Sequence, residues 1–346
     1  MSDTIIQPGT LWESILDRSE AAIAAGKLHT IATRRTRIED GGMRFSIRIA
    51  ENLRRKAEER AGRETDERAD PFLPPEAELT VGDISASHRA VLNKFNVIEH
   101  HLLIVTREFE EQEQVLNRAD FEALWMAMRE YPALGFYNGG RVAGASQRHK
   151  HLQVIPLSAF EENPALPLDP LLESVRTGPL AASRLPFRHS AARLGPELFQ
   201  SPSRAALVTH DLYRKMLEQL GLSPVTREGR EFQSGPYNLL MTREWLMVVP
   251  RRCEHWDTIS INALGFVGSL FVQDETEVKK IKEAGPMKLL ETVAELTGGP
   301  DLPKGAQHGW KQLPPAEWKP VRPVRRWCRW ANGSNRSPAR TDQSGA

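Results

Sequence analysis

The spacing of apolar and polar residues along this chain of 346 amino acids changes period several times, and each change predicts an element. Leu11, Ile15 and Leu16 recur at helical spacing and alanines continue the pattern, so residues 11–25 predict a first helix. Residues 44–50 then alternate strictly. Phe45, Ile47 and Ile49 point one way and Arg44, Ser46 and Arg48 the other, the mark of a half-buried strand. Residues 51–70 are dense in both signs of charge and poor in apolar side chains, which predicts an exposed loop or short polar helix. Pro71, Phe72, Leu73, Pro74 and Pro75 then impose an extended connection.

Residues 91–95 and 102–106 predict a strand pair turning near 98–100. Asp120 is placed to cap a helix that carries Phe121, Leu124, Trp125 and Met128 on one face and ends at Pro132. Two strands follow, near 133–138 and 149–156, joined by a glycine-bearing loop at 139–146. Residues 164–202 are rich in Pro, Ser and Ala and predict a linker or crossover. Beyond it, residues 235–252 predict a hairpin turning near Thr242, Arg243 and Glu244. Its form, an Asn ahead of an apolar strand, echoes the first half and hints at two related halves. The most apolar run, 259–272, is broken by Ser260, Asn262, Gly265, Gly268 and Ser269. It falls short of the roughly 20 apolar residues a membrane helix needs and predicts a core segment. Residues 274–297 predict an amphipathic helix capped by Gly298 and Gly299. Residues 318–330 are basic and aromatic, and the stretch after them has the composition of a disordered tail.

Composition sharpens this in a few ways. At 40% hydrophobic and 26% charged the chain is globular in type. Lys plus Arg number 46 against 45 Asp plus Glu, a net charge of +1, so the basic excess of a protein held to nucleic acid by phosphates is missing. Cys253 and Cys328 cannot build a disulfide framework or a Cys-rich zinc site; a single bridge between them is open to the chain, but they fit better as thiols kept reduced in a cytosol. The first residues carry neither a basic nor an apolar leader segment, so the expected compartment is the cytoplasm, without a membrane partner.

The chemistry concentrates in NGGRVAGASQRHKHLQVIPL, residues 138–157. On a strand His149, His151 and Gln153 share one face, opposite Lys150, Leu152 and Val154. Leu152 and Val154 belong to a core, which turns the two imidazoles and the amide into a site. The loop before them, with Gly144, Ser146 and Gln147, offers backbone N–H groups, a hydroxyl and an amide to an anion. A neutral imidazole beside an anion cradle suits attack on phosphorus and a covalent phospho-histidine intermediate, with the cradle holding the charge of the transferred group. Two His at this spacing can also ligate a metal. However, Gln153 is a poor ligand and no acidic residue follows before Glu161, so no protein-side metal site is expected. Among the other histidines only His100 and His101 are paired, and neither is given a role.

GASQRHKHLQ, with Asn138 upstream, resembles the active-site signature of the diadenosine tetraphosphate (Ap4A) phosphorylases, or ATP adenylyltransferases, of the histidine-triad superfamily. PFLPP, LNKF, EHHLLIVTREFEEQ, YNLLMTREWLMVVPR, ISINALGF and IKEAGP resemble further family segments in family order, so the likeness covers roughly residues 41–296. It implies an α+β fold of histidine-triad-like antiparallel sheets flanked by helices, with two related halves in one chain. The halves would be a catalytic one at 1–165 and an ATP adenylyltransferase one at 206–330, with a linker or crossover at 166–205 and a disordered tail at 331–346. It also implies that His151 is the nucleophile that holds AMP, with His149 and Gln153 beside it, the latter on a phosphate oxygen. Substrate would be bound by Lys56, Asn93, Lys94, Asn138, Gly144, Ala145, Ser146, Gln147, Asn262, Ala263 and Leu264. Ser269 and Gln273 stand where the family often has Met and Lys, which removes a positive charge from the distal-phosphate side.

The implied reaction is phosphorolysis of Ap4A to ATP and ADP, reversibly, through His–AMP. The implied partners are small nucleotides and phosphate, in a monomer or weak homodimer. No cofactor would be covalently bound, and Mg²⁺ would enter on the nucleotide phosphates. Two rivals are a nucleotidyltransferase acting on sugar phosphates and a non-catalytic dinucleotide sensor on the same scaffold; an intact nucleophile argues against the second.

Overall fold

The computed structural model describes residues 5–50, 70–160, 165–182 and 184–296. Lys56, most of the polar stretch at 51–70, the Gly298–Gly299 cap, the basic aromatic run at 318–330 and the expected tail at 331–346 lie outside the described residues.

In chain order the strands are β1 (Arg34–Asp40), β2 (Met43–Ile49), β3 (Thr80–Asp83), β4 (His88–Leu92), β5 (Leu102–Thr106), β6 (Ala133–Gly139), β7 (His151–Pro156) and β8 (Ser190–Arg193). They continue with β9 (Val225–Arg227), β10 (Arg230–Phe232), β11 (Tyr237–Met241), β12 (Trp245–Pro250), β13 (His255–Trp256), β14 (Ile259–Ser260) and β15 (Ser269–Val272). The helices are α1 (Leu11–Ala24), α2 (Arg118–Glu130), α3 (Pro202–Gln219), α4 (Glu275–Ala284) and α5 (Pro286–Val293). The fold is α+β. Its centre is an eight-stranded antiparallel sheet in the order β3-β4-β5-β7-β6-β11-β12-β8. A three-stranded sheet, β1-β2-β15, lies apart from it, with β15 parallel to β2.

The central sheet is covered on both faces, which explains why its strands read as unbroken apolar runs. On β12, Leu246 and Val248 pack in one core with Phe121 and Trp125 of α2 and Tyr213 of α3. Trp245, Met247 and Val249 turn the other way, into a core with Phe45 and Ile47 of β2, Phe266, and Leu289 of α5. The expected crossover at 166–205 supplies Leu166, Leu168, Leu171 and Leu172 to that second core and β8 to the sheet edge.

Three elements differ from their sequence reading. α2 is capped by Asn117, whose side chain accepts from the N–H groups of Ala119 and Asp120. Asp120 instead accepts from the Asn117 N–H at 2.7 Å, closing a capping box from inside the helix. The strand expected at 149–156 begins at His151, because His149 is diverted into a single bridge with Glu111. The long helix expected at 274–297 is two helices. Gly285 breaks it at φ 83°, and Pro286 opens the second, where its missing N–H costs nothing. Among the described residues no helix is long and apolar enough to cross a membrane.

The two halves meet inside the central sheet. β6 pairs with β11, and Asn138 lies opposite Asn238.

Candidate active site

β7 is clamped before it presents anything. Gln112, fully buried, accepts from the His151 N–H at 2.9 Å and donates to the carbonyls of Asn138 at 2.9 Å and His151 at 3.2 Å. One side chain thus ties β6 to β7 at the motif. Tyr137 donates to the Gln112 carbonyl from below.

The His151 ring is nearly enclosed, and its Nδ1 donates to the carbonyl of His149 at 2.8 Å. That bond fixes the tautomer, leaving the lone pair on Nε2. Burial, with His149 beside it, holds His151 down to about 4 against the pull of that carbonyl, so the ring is neutral at neutral pH. His149 is itself pinned. Its Nδ1 lies 2.7 Å from Asp70 Oδ2, and its Nε2 2.8 Å from both the hydroxyl and the carbonyl of Thr106. The ring of Phe72 lies across both histidines, with centroids at 5.7 and 5.6 Å. The two imidazoles therefore do not face open solvent; they are buried beneath the segment at 70–75.

Gln153 is oriented by a residue that the sequence left without a role. Asn93 Nδ2 donates to His101 Nδ1 at 3.1 Å, so His101 carries its proton on Nε2 and donates it to Gln153 Oε1 at 2.9 Å. Burial pushes His101 down to about 4, with His151 adding to the effect, so this relay is made of neutral groups. Gln153's carbonyl oxygen is occupied, which leaves its amide N–H groups as donors for an anionic oxygen.

Asn138 sits at the seam of the halves. Its Oδ1 accepts from Asn238 Nδ2 at 2.8 Å and from the Ala263 N–H at 3.1 Å. Asn238 also donates to the Ala143 carbonyl at 2.8 Å and accepts from Arg251 Nη1 at 2.5 Å. Arg251, fully buried, reaches the Ile261 carbonyl at 2.7 Å. Burial pulls its guanidinium down to about 10, so it stays a cation. The result draws loop 143–145 and loop 261–263 together. Gly144 is required there: its φ is +93°, and a Cβ would stand 2.7 Å from the Cβ of Asn262. Asn262 caps the short helix that includes Ala263 and Leu264 by accepting from the Leu264 N–H at 3.0 Å.

The remaining sequence candidates are spread more widely. Ala145 is buried beside Gly144, whereas Ser146 is exposed and Gln147 half-buried. Lys94 pairs with Glu76 at 2.6 Å. Ser269 and the backbone before Gln273 belong to the small sheet, not to the sheet of His151, and the Gln273 N–H donates to Glu277 at 2.8 Å. Gly144, His149, His151, Gln153, Asn93, Asn138 and Asn262–Ala263 are brought together by direct or relayed contacts. Asp70, His101, Thr106, Gln112, Asn238 and Arg251 complete them and were not singled out from sequence. A neutral histidine with its Nε2 lone pair kept, beside amide donors and a glycine loop, can attack a phosphorus atom and steady the anionic oxygens around it.

A family model for the N-terminal domain of Ap4A phosphorylases matches residues 1–174, and one for the C-terminal domain of ATP adenylyltransferases matches residues 183–295. Protein APA1 of Saccharomyces cerevisiae is 28% identical over 302 residues, covering 80% of this chain and 91% of the yeast protein. The yeast diadenosine 5',5'''-P1,P4-tetraphosphate phosphorylase 2 is 27% identical over 307 residues, covering 79% and 90%. The crystal structure of yeast Ap4A phosphorylase Apa2 in complex with Ap4A matches with a TM-score of 0.69 at 22% identity, over 84% of this chain and 98% of that one.

Proposed function

The chain belongs to the Ap4A phosphorylase family, and from that premise we propose that it is a nucleotidyltransferase that phosphorolyses Ap4A to ATP and ADP through His151. The observation that carries the residue assignment is the 2.8 Å bond from His151 Nδ1 to the His149 carbonyl, which leaves Nε2 as the nucleophile. In the first step Nε2 attacks an α-phosphorus of Ap4A. The bond from that phosphorus to the bridging oxygen breaks, and ATP departs with the electron pair. In the second step an oxygen of inorganic phosphate attacks the histidine-bound AMP, the P–N bond breaks, and ADP leaves with His151 neutral again. The reverse reaction makes Ap4A and phosphate from ATP and ADP.

Gln153 donates to an α-phosphate oxygen, and the amides of the 144–147 loop hold the anionic phosphates as charge moves. Asn138 and the 262–264 turn contribute from the second half, and Lys56, Asn93 and Lys94 complete the substrate contacts. Mg²⁺ enters on the polyphosphate. The compartment is the cytoplasm.

Incubation with Ap4A, with and without phosphate, followed by chromatography tests this. ATP plus ADP forming only with phosphate supports it; two ADP would mean hydrolysis, and no products would mean a sensor. Two inversions at phosphorus predict net retention, so net inversion would eliminate the covalent intermediate.

A further inference from the structure

One amide at the seam of the two halves is turned toward the nucleophile by a series of forced choices. The register of β6 on β7 pairs Leu134 with Ile155 and Phe136 with Gln153. Continued by two residues, it sets Asn138 beside His151, where the inserted Gln112 side chain donates to the carbonyls of both. Residues paired across strands share a face of the sheet, so the Asn138 side chain stands next to the ring of His151. On its other side Asn138 lies opposite Asn238 of β11. The series starts at Arg251, whose guanidinium has donors and no acceptor, so the Asn238 atom 2.5 Å from it is Oδ1. Asn238 therefore turns Nδ2 away and donates to the Ala143 carbonyl and to Asn138, each at 2.8 Å. The Asn138 atom that meets it has to accept, and the Ala263 N–H approaches the same Oδ1 at 3.1 Å. Among the described residues both bonds of the Asn138 side chain are thus made by Oδ1, and Nδ2 points back across β6 toward His151 with its N–H groups still to give.

We propose that Asn238, fixed by Arg251, is a positioning residue for adenylate transfer: it holds the Asn138 amide with Nδ2 toward His151, where that group donates to a non-bridging oxygen of the phosphate under attack. This role rests on the activity assigned to His151, and it gives the second half a task in the chemistry of the first. The need for a relay follows from the shape of an amide, which is almost the same either way round while its two ends have opposite polarity. Left unfixed, Asn138 turns over and sets an acceptor against an anionic oxygen. Arg251 settles the choice because it cannot accept, and its burial keeps water from competing for Asn238 Oδ1.

The test compares kcat and KM for Ap4A phosphorolysis in the full chain and in Asn238→Asp and Asn238→Ala, each alone and combined with Asn138→Ala. Asn238→Asp keeps the shape and the bond to Arg251 but replaces the donor by an acceptor, so Asn138 turns Nδ2 toward it and Oδ1 toward the phosphate. Asn238→Ala offers no rival acceptor and leaves Asn138 its bond from the Ala263 N–H. Orientation therefore makes the aspartate variant the slower of the two, with kcat down at least about tenfold and KM changed less than about threefold. A packing role makes the alanine variant the slower. Combined with Asn138→Ala, neither substitution should lower kcat further, because the amide it orients is gone. A melting curve checks each fold, and the alanine chain, with a smaller loss that vanishes beside Asn138→Ala, carries the same cycle if the aspartate chain does not fold. Full kcat in a folded Asn238→Asp chain, an alanine variant slower than the aspartate one, or losses that add in the double variants overturns the proposal. A parent that makes no ATP and ADP overturns the activity and the relay with it, and that result is seen before any variant is compared.

Discussion

Lys150 stands between the two motif histidines, yet it points away from them into the protein. It is wholly buried, 2.6 Å from Asp120 Oδ2, 3.0 Å from Glu110 Oε2, and donating to the Val115 carbonyl at 3.3 Å. Asp120 is equally buried, and its other oxygen lies 3.0 Å from His88 Nε2. Burial alone would push the Asp120 carboxyl up, but Lys150 and His88 outweigh it and hold it at about 2. Lys150→Met keeps the length of the side chain and removes the charge. The buried carboxylate then keeps only His88 and the Asn117 N–H as partners, a loss worth about 3–5 kcal/mol. With its main counter-charge gone, Asp120 is governed by burial and titrates above its ordinary value. A carboxyl raised in the folded state favours folding at low pH and opposes it as pH rises, so the penalty should be greatest at pH 7 and shrink toward pH 5. Urea unfolding of parent and variant at the two pH values measures this. Adding Asp120→Asn should return part of the stability, because no buried charge is left. A penalty under about 1 kcal/mol at pH 7, or one that does not change with pH, would refute the view that Lys150 neutralises a buried carboxylate.

Other substitutions address the site. His101→Leu frees the Gln153 carbonyl oxygen and should lower kcat for Ap4A phosphorolysis by roughly 10- to 100-fold, the range of one lost buried hydrogen bond, with KM little changed. An unaltered kcat would show that something else orients Gln153. Since His151 is held down to about 4 and must be neutral to attack, kcat/KM should stay level as pH falls from 7 to about 5 and decline only near 4. An acid limb at the ordinary histidine value would contradict the enclosed ring. Arg251→Leu strands Asn238 Oδ1 and the Ile261 carbonyl and should cost about 2–4 kcal/mol in chemical denaturation. A loss below 1 kcal/mol would mean that the seam holds without it.

Much of the fold could be read where the chain obeys a single period. The strand at 44–50 showed itself because only one of its faces is core. The central strands showed themselves as apolar runs, but such runs carry no record of which side chain enters which core. The cap of α2 was misassigned for a physical reason: Asn117 and Asp120 satisfy each other's backbone, and either residue type caps a helix. Gly285 and Pro286 together signalled a break, yet the hydrophobic pattern runs through it. At the site, His149, His151 and Gln153 were legible because they are contiguous. Their supports are not. Asp70 is 79 residues from His149 and His101 is 52 from Gln153. The approach of His101 to Gln153 follows from sheet register, which places Leu103 opposite Gln153 and Val105 opposite His151, whereas Asp70 reaches His149 from a segment outside the sheet. No local pattern in a sequence encodes that register.

The pairing of β6 with β11 bears on how the molecule can be divided. A chain opened between 174 and 183 would leave each half with a bare row of backbone donors and acceptors where the other had been. Each exposed edge also carries half of a buried polar junction, Asn138 on one side, Asn238 and Arg251 on the other. The two pieces should be poor soluble proteins alone and recombine when co-expressed, since the best cap for either edge is the strand it lost. A piece kept by itself has one ready substitute, the same strand from a second copy, which would close the sheet and leave the loop at Gly144 facing the wrong partner.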